Sequence, residues 1–162
     1  MLPWEKPLGL IDVDIDRRHY QYCFGCGTDN PLGLKLAFKW DGKTARATFT
    51  AQKVHQGWPE TMHGGLLCAL LDEAAGWAVY YQGIRGVTGK LEARLKRPIM
   101  IGQTVRVEAT TIKLSRKLVQ TAAVIKLPDD TIAAEAVATV YIVPQNHQKE
   151  NDVGKNPGAR QA

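Results

Sequence analysis

From Gly64 to Gly83 the chain reads GGLLCALLDEAAGWAVYYQG, a proline-free stretch with strong helix formers in its first half. It predicts one helix of about five turns. At about 100° per residue, Leu66, Leu67, Leu70, Leu71, Ala74, Trp77, Ala78 and Tyr81 leave almost no polar face. A helix that is apolar nearly all round is a buried helix. In a chain of 162 residues with 44% hydrophobic content, which suits one domain, burial on every side demands a sheet that curls around the helix or a second subunit that covers it.

The flanking segments supply such a sheet. Leu34, Leu36 and Phe38 alternate with Lys35, Ala37 and Lys39, Asp41-Gly42-Lys43 gives turn chemistry, and Ala45, Ala47 and Phe49 alternate with Arg46, Thr48 and Thr50, which predicts a hairpin. After the helix, Leu91, Ala93 and Leu95 alternate with charged residues up to Pro98. GQTVRVEATTIKL, KLVQTAAVIKL and TIAAEAVATVYIV follow, parted by SR and PDD. These four strands are expected to form an antiparallel meander. Two strands, a helix and four strands fit an α+β domain with its helix on a single sheet. The expected division is a cover segment over residues 1–33, the domain over 34–143, and a polar, disordered tail over 144–162. Within the cover, IDVDID is expected to give at most a brief strand or helical turn.

Several classes are excluded. No run of about 18 apolar residues exists and the first residues are interspersed with charge, so neither a membrane span nor a signal peptide is expected, and a cytoplasmic protein is. Lys and Arg exceed Asp and Glu by 21 to 16, but the excess is scattered, which argues against nucleic acid while permitting a polyanionic small ligand. Three cysteines make no disulfide framework. Cys23 and Cys26 form a C-x-x-C in CFGCG, but no second ligand pair follows at zinc-finger spacing, so they read as small residues of a Gly-rich turn and no metal is expected. Cys68 has no neighbouring His and reads as packing rather than as a nucleophile.

Inside the apolar helix stand Asp72 and Glu73, whose desolvation costs several kcal/mol unless they are paired. Around Asp72 on the helical wheel lie Gly65, Cys68, Ala69, Ala75, Gly76 and Val79, all small, so a ligand or another backbone can approach it. Glu73, near Trp77 and Tyr80, reads either as part of an exposed strip or as a ligand contact. At the helix start, His63-Gly64-Gly65 leaves the first N–H groups open to a ligand, and the unpaired donors and positive dipole end there suit an oxyanion.

Together HGG, LLD ending at Asp72, the CFGCG and NPLGL head, GVT at 86–88 and LKRP before the later strands resemble hotdog-fold thioesterases of the phenylacetyl-CoA type and its human relatives, over about Cys23 to Val143. The resemblance implies a curled antiparallel sheet wrapped around one long central helix, an acyl-CoA substrate and no cofactor. It also implies that the Gly64 N–H polarises the thioester carbonyl, that Asp72 acts as general base or nucleophile, that Thr88 helps hold the attacking water, and that His63 orients the loop or ligand. Gly65 and Glu73 are expected beside the substrate. Relatives often carry Asn six residues before the motif His, where this chain has Gly57 with His55 and Gln56 just upstream; both are expected beside the substrate, Gln56 as the candidate for the second carbonyl contact, with a loop role for it equally open.

A rise of about 1.5 Å per residue separates Gly64 from Asp72 by roughly 12 Å, too far for both to touch one carbonyl. A two-fold dimer with opposed helices brings Gly64 of one chain to Asp72 of the other, in a homodimer or a dimer of dimers. Arg94, Lys96, Arg97, Arg116 and Lys117 are candidates, as a group, for the coenzyme A phosphates. Acyl-CoA hydration or dehydration, and acyl-CoA binding without chemistry, are the alternative readings.

Overall fold

The computed structural model describes residues 20–143. The IDVDID stretch and the polar tail lie outside the described residues. In chain order the elements are β1 (Lys39–Trp40), β2 (Thr44–Thr50), a 3-10 turn at Lys53–His55, α1 (Gly64–Tyr80), β3 (Gly86–Leu95), β4 (Thr104–Leu114), β5 (Leu118–Lys126) and β6 (Ile132–Ile142). All pairings are antiparallel in one six-stranded sheet of order β1-β2-β4-β5-β6-β3.

The helix lies in the concave side of that sheet, and β2 through β6 all pack on it. Leu70, Leu71, Ala74, Ala75 and Ala78 are fully buried, joined by Ile99, Val105, Val107, Ala123 and Ile125. Burial of one such leucine or isoleucine contributes about 1.5–3 kcal/mol, so this helix-in-sheet seam dominates the stability of the domain. The sheet's curl therefore supplies most of the cover that the apolar helix demanded. Toward the C-terminal end of α1 an aromatic cluster continues the core: Phe38 stacks on Trp77 at 5.8 Å, Trp40 on Tyr81 at 5.4 Å, and the Tyr81 hydroxyl donates to the Phe38 carbonyl at 2.9 Å.

Two sequence expectations are corrected. Residues 34–38 do alternate in burial, with Leu34, Leu36 and Phe38 inside, but they form no ladder with β2. Lys35 has a positive φ of 57°, and the Leu34 and Leu36 N–H groups donate to the carbonyls of Phe24 and Gly25 instead. The side chains thus obey the strand period while the backbone is taken by the cover segment, and only Lys39–Trp40 pair with β2. Second, the four later strands are no simple meander. β4, β5 and β6 are consecutive neighbours, whereas β3 pairs with β6 and forms the far edge. Its connection to β4 is held at the helix entrance, where the Ile99 carbonyl accepts from the Met62 N–H and Thr61 bridges to Met100. That anchor carries the chain across the sheet before β4 can begin.

Being an edge, β3 is exposed along almost all of its length, including Val87 and Leu95. Of the alternating Leu91, Ala93 and Leu95 only Leu91 is packed against the core, because among the described residues no further strand or helix covers the others.

Candidate active site

Asp72 stands on the third turn of α1, on the side where small residues leave the helix half-covered: Cys68, Ala69 and Gly76 are partly exposed, and a Cβ built on Gly76 would meet nothing within 4 Å. Its Oδ1 is buried and finds no hydrogen-bond partner among the described residues. A buried carboxylate oxygen left unpaired costs about 1–3 kcal/mol or more, so the fold sustains a local penalty there. The residue lines a cavity of about 430 Å³ together with Thr88, Glu73, Gly76, Trp77, Tyr80, Arg85 and the cover residues Tyr20, Cys23 and Cys26. Asp72 and Thr88, nominated separately from the sequence, thus face one space. Thr88 is held there by a bulge in β3, where the register with β6 shifts between Thr88 and Lys90.

Glu73 is partnered. Its Oε1 accepts from the Trp77 indole N–H at 3.1 Å, one turn on, and the Cys23 thiol lies 3.8 and 3.9 Å from its two oxygens. The exposed-strip alternative for Glu73 is therefore not what the fold adopts; the side chain is half-buried beneath the cover segment.

At the helix entrance His63 is the N-cap, with extended φ and ψ of −64° and 131°, and its Nδ1 accepts from the Gly65 N–H at 2.9 Å. The His63 carbonyl accepts from Leu66 and Leu67. Among the described residues no group accepts from the Gly64 N–H, so His63 ties up the Gly65 donor and leaves Gly64 as the first open donor at the positive end of the helix. The chain thus orders the donor pair, making Gly65 a structural N–H and Gly64 a free one.

The loop before the motif is built by its own polar groups. His55 Nδ1 accepts from the Gln52 N–H at 2.9 Å, its ring rests on Phe49 at 4.9 Å, and burial lowers its pKa from the ordinary imidazole value. The His55 carbonyl accepts from the His63 N–H, and Gln56 Oε1 accepts from the Glu60 N–H at 3.0 Å. His55 and Gln56 thus shape the turn that presents His63, and the Gln56 oxygen is engaged inside its own loop.

The five basic candidates do not gather in one chain. Arg94, Lys96 and Arg97 lie at the end of β3 where Leu95 faces Ala134, whereas Arg116 and Lys117 occupy the β4–β5 turn beside the opposite end, where Leu118 and Val87 both face Tyr141. Lys96 is paired with Glu135 at 2.8 Å. Sequence reasoning overlooked Arg85, which lines the Asp72 cavity; its signal was its place immediately before the Gly86-Val87-Thr88 motif.

A curled sheet on one buried helix, with a glycine-bearing helix entrance and an acidic third turn, defines the hotdog class. Residues 60–134, which run from the loop before His63 into β6, match the model of the thioesterase superfamily. Among solved structures it is similar to a thioesterase superfamily protein at 24% identity and a TM-score of 0.67, over 70% of this chain and 59% of that one. The chain therefore spans somewhat less than two thirds of that relative's length. It is also similar to the E. coli PaaI protein from the phenylacetic acid degradation operon (20% identity, TM-score 0.65, 68% of this chain and 81% of that one). A hypothetical thioesterase from Streptococcus pneumoniae, solved with coenzyme A, is similar at 17% identity and a TM-score of 0.65, over 68% and 90% of the two chains. No curated protein matches the chain. No helix of the described residues is long and apolar enough to cross a membrane.

Proposed function

We propose that the protein hydrolyses acyl-CoA thioesters, with water activated by Asp72 attacking a carbonyl whose oxygen is held by the Gly64 N–H of a second copy. The observation that carries this reading is the buried Asp72 Oδ1, without a partner among the described residues, on the wall of a cavity of about 430 Å³ that Thr88 also lines. A general base must reach the water it deprotonates, and an acceptor unclaimed by the protein beside a hydroxyl is suited to that task. Thr88 positions the water; His63 fixes the entrance so that only the Gly64 donor points at the substrate.

Water attacks the carbonyl carbon as Asp72 takes its proton, and the negative charge collects on the carbonyl oxygen at the helix entrance. The tetrahedral centre then collapses, the C–S bond breaks, and the thiolate of coenzyme A leaves with the free acid as the other product. Such a preorganised donor is worth about 10²–10³ in rate.

The need for two copies follows from spacing along α1, roughly 12 Å from Gly64 to Asp72. The exposed ten-residue edge of β3, beside the half-covered Asp72 face, supports a homodimer, since a long unpaired edge is a template for a second chain. In a two-fold pair the separated basic ends of one subunit come beside those of its partner, which supports a shared coenzyme A phosphate site. Coenzyme A in the S. pneumoniae structure supports the same class of substrate.

The experiment is free-thiol release over short, long, branched and aromatic acyl-CoA esters. Hydrolysis of at least one class is the expected result; tight binding without thiol release, or enoyl product instead of free acid, contradicts the reading.

A further inference from the structure

Cys23 and Cys26 were read from the sequence as small residues of a turn because no other ligand stands near them along the chain. The fold brings one from fifty residues away. The thiol sulfurs of Cys23 and Cys26 and a carboxylate oxygen of Glu73 all lie within 4.8 Å of one another, and the Cys23 sulfur is 3.8 Å from Glu73 Oε1. In a tetrahedral zinc site with S at about 2.3 Å and O at about 2.0 Å, neighbouring ligand atoms stand roughly 3.5–3.8 Å apart. The three donors are therefore within a small side-chain adjustment of that geometry.

The backbone around them is built for close approach. A Cβ on Gly25 would fall 2.4 Å from the Glu73 carboxylate, and one on Gly27 would fall 2.4–2.5 Å from the Gln21 carbonyl and the Cys23 backbone. Both glycines of C-F-G-C-G are thus required: the first admits the carboxylate against the turn, and the second lets the chain fold back, with the Gly27 N–H donating to the Cys23 carbonyl at 2.9 Å. All three donors are half-buried, and among the described residues no Lys or Arg forms an ion pair with Glu73.

We propose that Cys23, Cys26 and Glu73 bind one zinc ion, which fastens the cover segment to the third turn of α1 at the wall of the Asp72 cavity. Two thiolates and a carboxylate suit zinc over magnesium or calcium, which take oxygen donors. Binding releases the two thiol protons as two Zn–S bonds form, and water completes the fourth position. No redox change is involved. Cys23, Cys26 and Glu73 line the same cavity as Asp72, so the ion would hold that wall in place, and its uptake is measured without reference to hydrolysis.

The test is metal uptake by the full chain, purified under reducing conditions without immobilised metal. Zinc is expected at one equivalent by elemental analysis, and cobalt substitution is expected to produce thiolate-to-cobalt charge-transfer absorption. C23S and C26S should lose that absorption and E73Q should weaken uptake, while C68S retains both. Because the cysteine variants risk misfolding, wild-type thiol reactivity provides a second readout. With zinc, Cys23 and Cys26 should be protected and Cys68 should react as before; a chelator should expose both. Reduced protein that takes up neither metal, or zinc uptake that survives C23S and C26S, overturns the site.

Discussion

At the entrance of α1 the chain claims most of its own backbone donors: the His63 ring holds the Gly65 N–H, its carbonyl holds Leu66 and Leu67, and His55 and Gln56 close the preceding loop. On the third turn the arrangement is reversed, because the buried Asp72 Oδ1 has no partner among the described residues while its neighbour Glu73 is engaged with Trp77 and Cys23. Among the described residues, one region leaves the Gly64 N–H open and the other leaves the buried Asp72 Oδ1 open. In the proposed mechanism each is half of an acyl-transfer site, and roughly 12 Å of helix keeps the halves of one chain apart.

Breaking the acceptor half should have the largest effect. Asp72→Asn keeps the shape of the side chain and removes the base, so thiol release should fall by about two to four orders of magnitude with the melting temperature held or raised. Wild-type turnover in that variant would remove Asp72 from the chemistry. The donor half can be broken by Gly64→Pro, since proline is tolerated at the first helical position and deletes only the N–H of interest. A Cβ there meets only the flexible end of Leu95, at 3.0 Å. The expected loss is about 10²–10³ in kcat, with circular dichroism unchanged.

Below these catalytic effects lie two on stability. Leu70→Ala empties a fully buried position between helix and sheet and should cost about 2–5 kcal/mol in denaturant unfolding. The smallest effect belongs to Asp41, far from both halves, which caps the β1–β2 turn by accepting from the Lys43 and Thr44 N–H groups. Those bonds, with the Arg46 guanidinium, lower its pKa from 3.8 to about 2. A carboxylate held below its unfolded value stabilises the fold above that unfolded value, and the contribution is lost as pH falls from there through the folded one. Asp41→Asn should therefore flatten a slight loss of stability between about pH 4 and pH 2 and leave neutral-pH activity unchanged.

The same two regions mark what could be read from the sequence. The helix, the β2 and β4–β6 strands and the nomination of Asp72 followed from local periodicity, because a carboxylate in an apolar, small-residue setting carries its own signal. Residues 34–38 misled because burial sets side-chain alternation whereas hydrogen bonding sets the ladder, and here the two separate. The edge position of β3 was invisible because strand order depends on where the 96–103 connection is anchored, a tertiary contact between Ile99 and Met62. Glu73 looked ambiguous because its partners, Cys23 and Cys26, are drawn in by the cover segment from far along the chain.

The most direct measurement mixes the two broken halves. Asp72→Asn and Gly64→Pro chains, each nearly inactive, are unfolded together and reassembled, and thiol release is compared with that of each reassembled alone. In a mixed dimer one site receives an intact Gly64 from the first chain and an intact Asp72 from the second, so random pairing should restore about a quarter of wild-type activity. Activity that remains at the level of the separate variants, in a mixture verified to contain mixed dimers, would contradict a site shared between subunits.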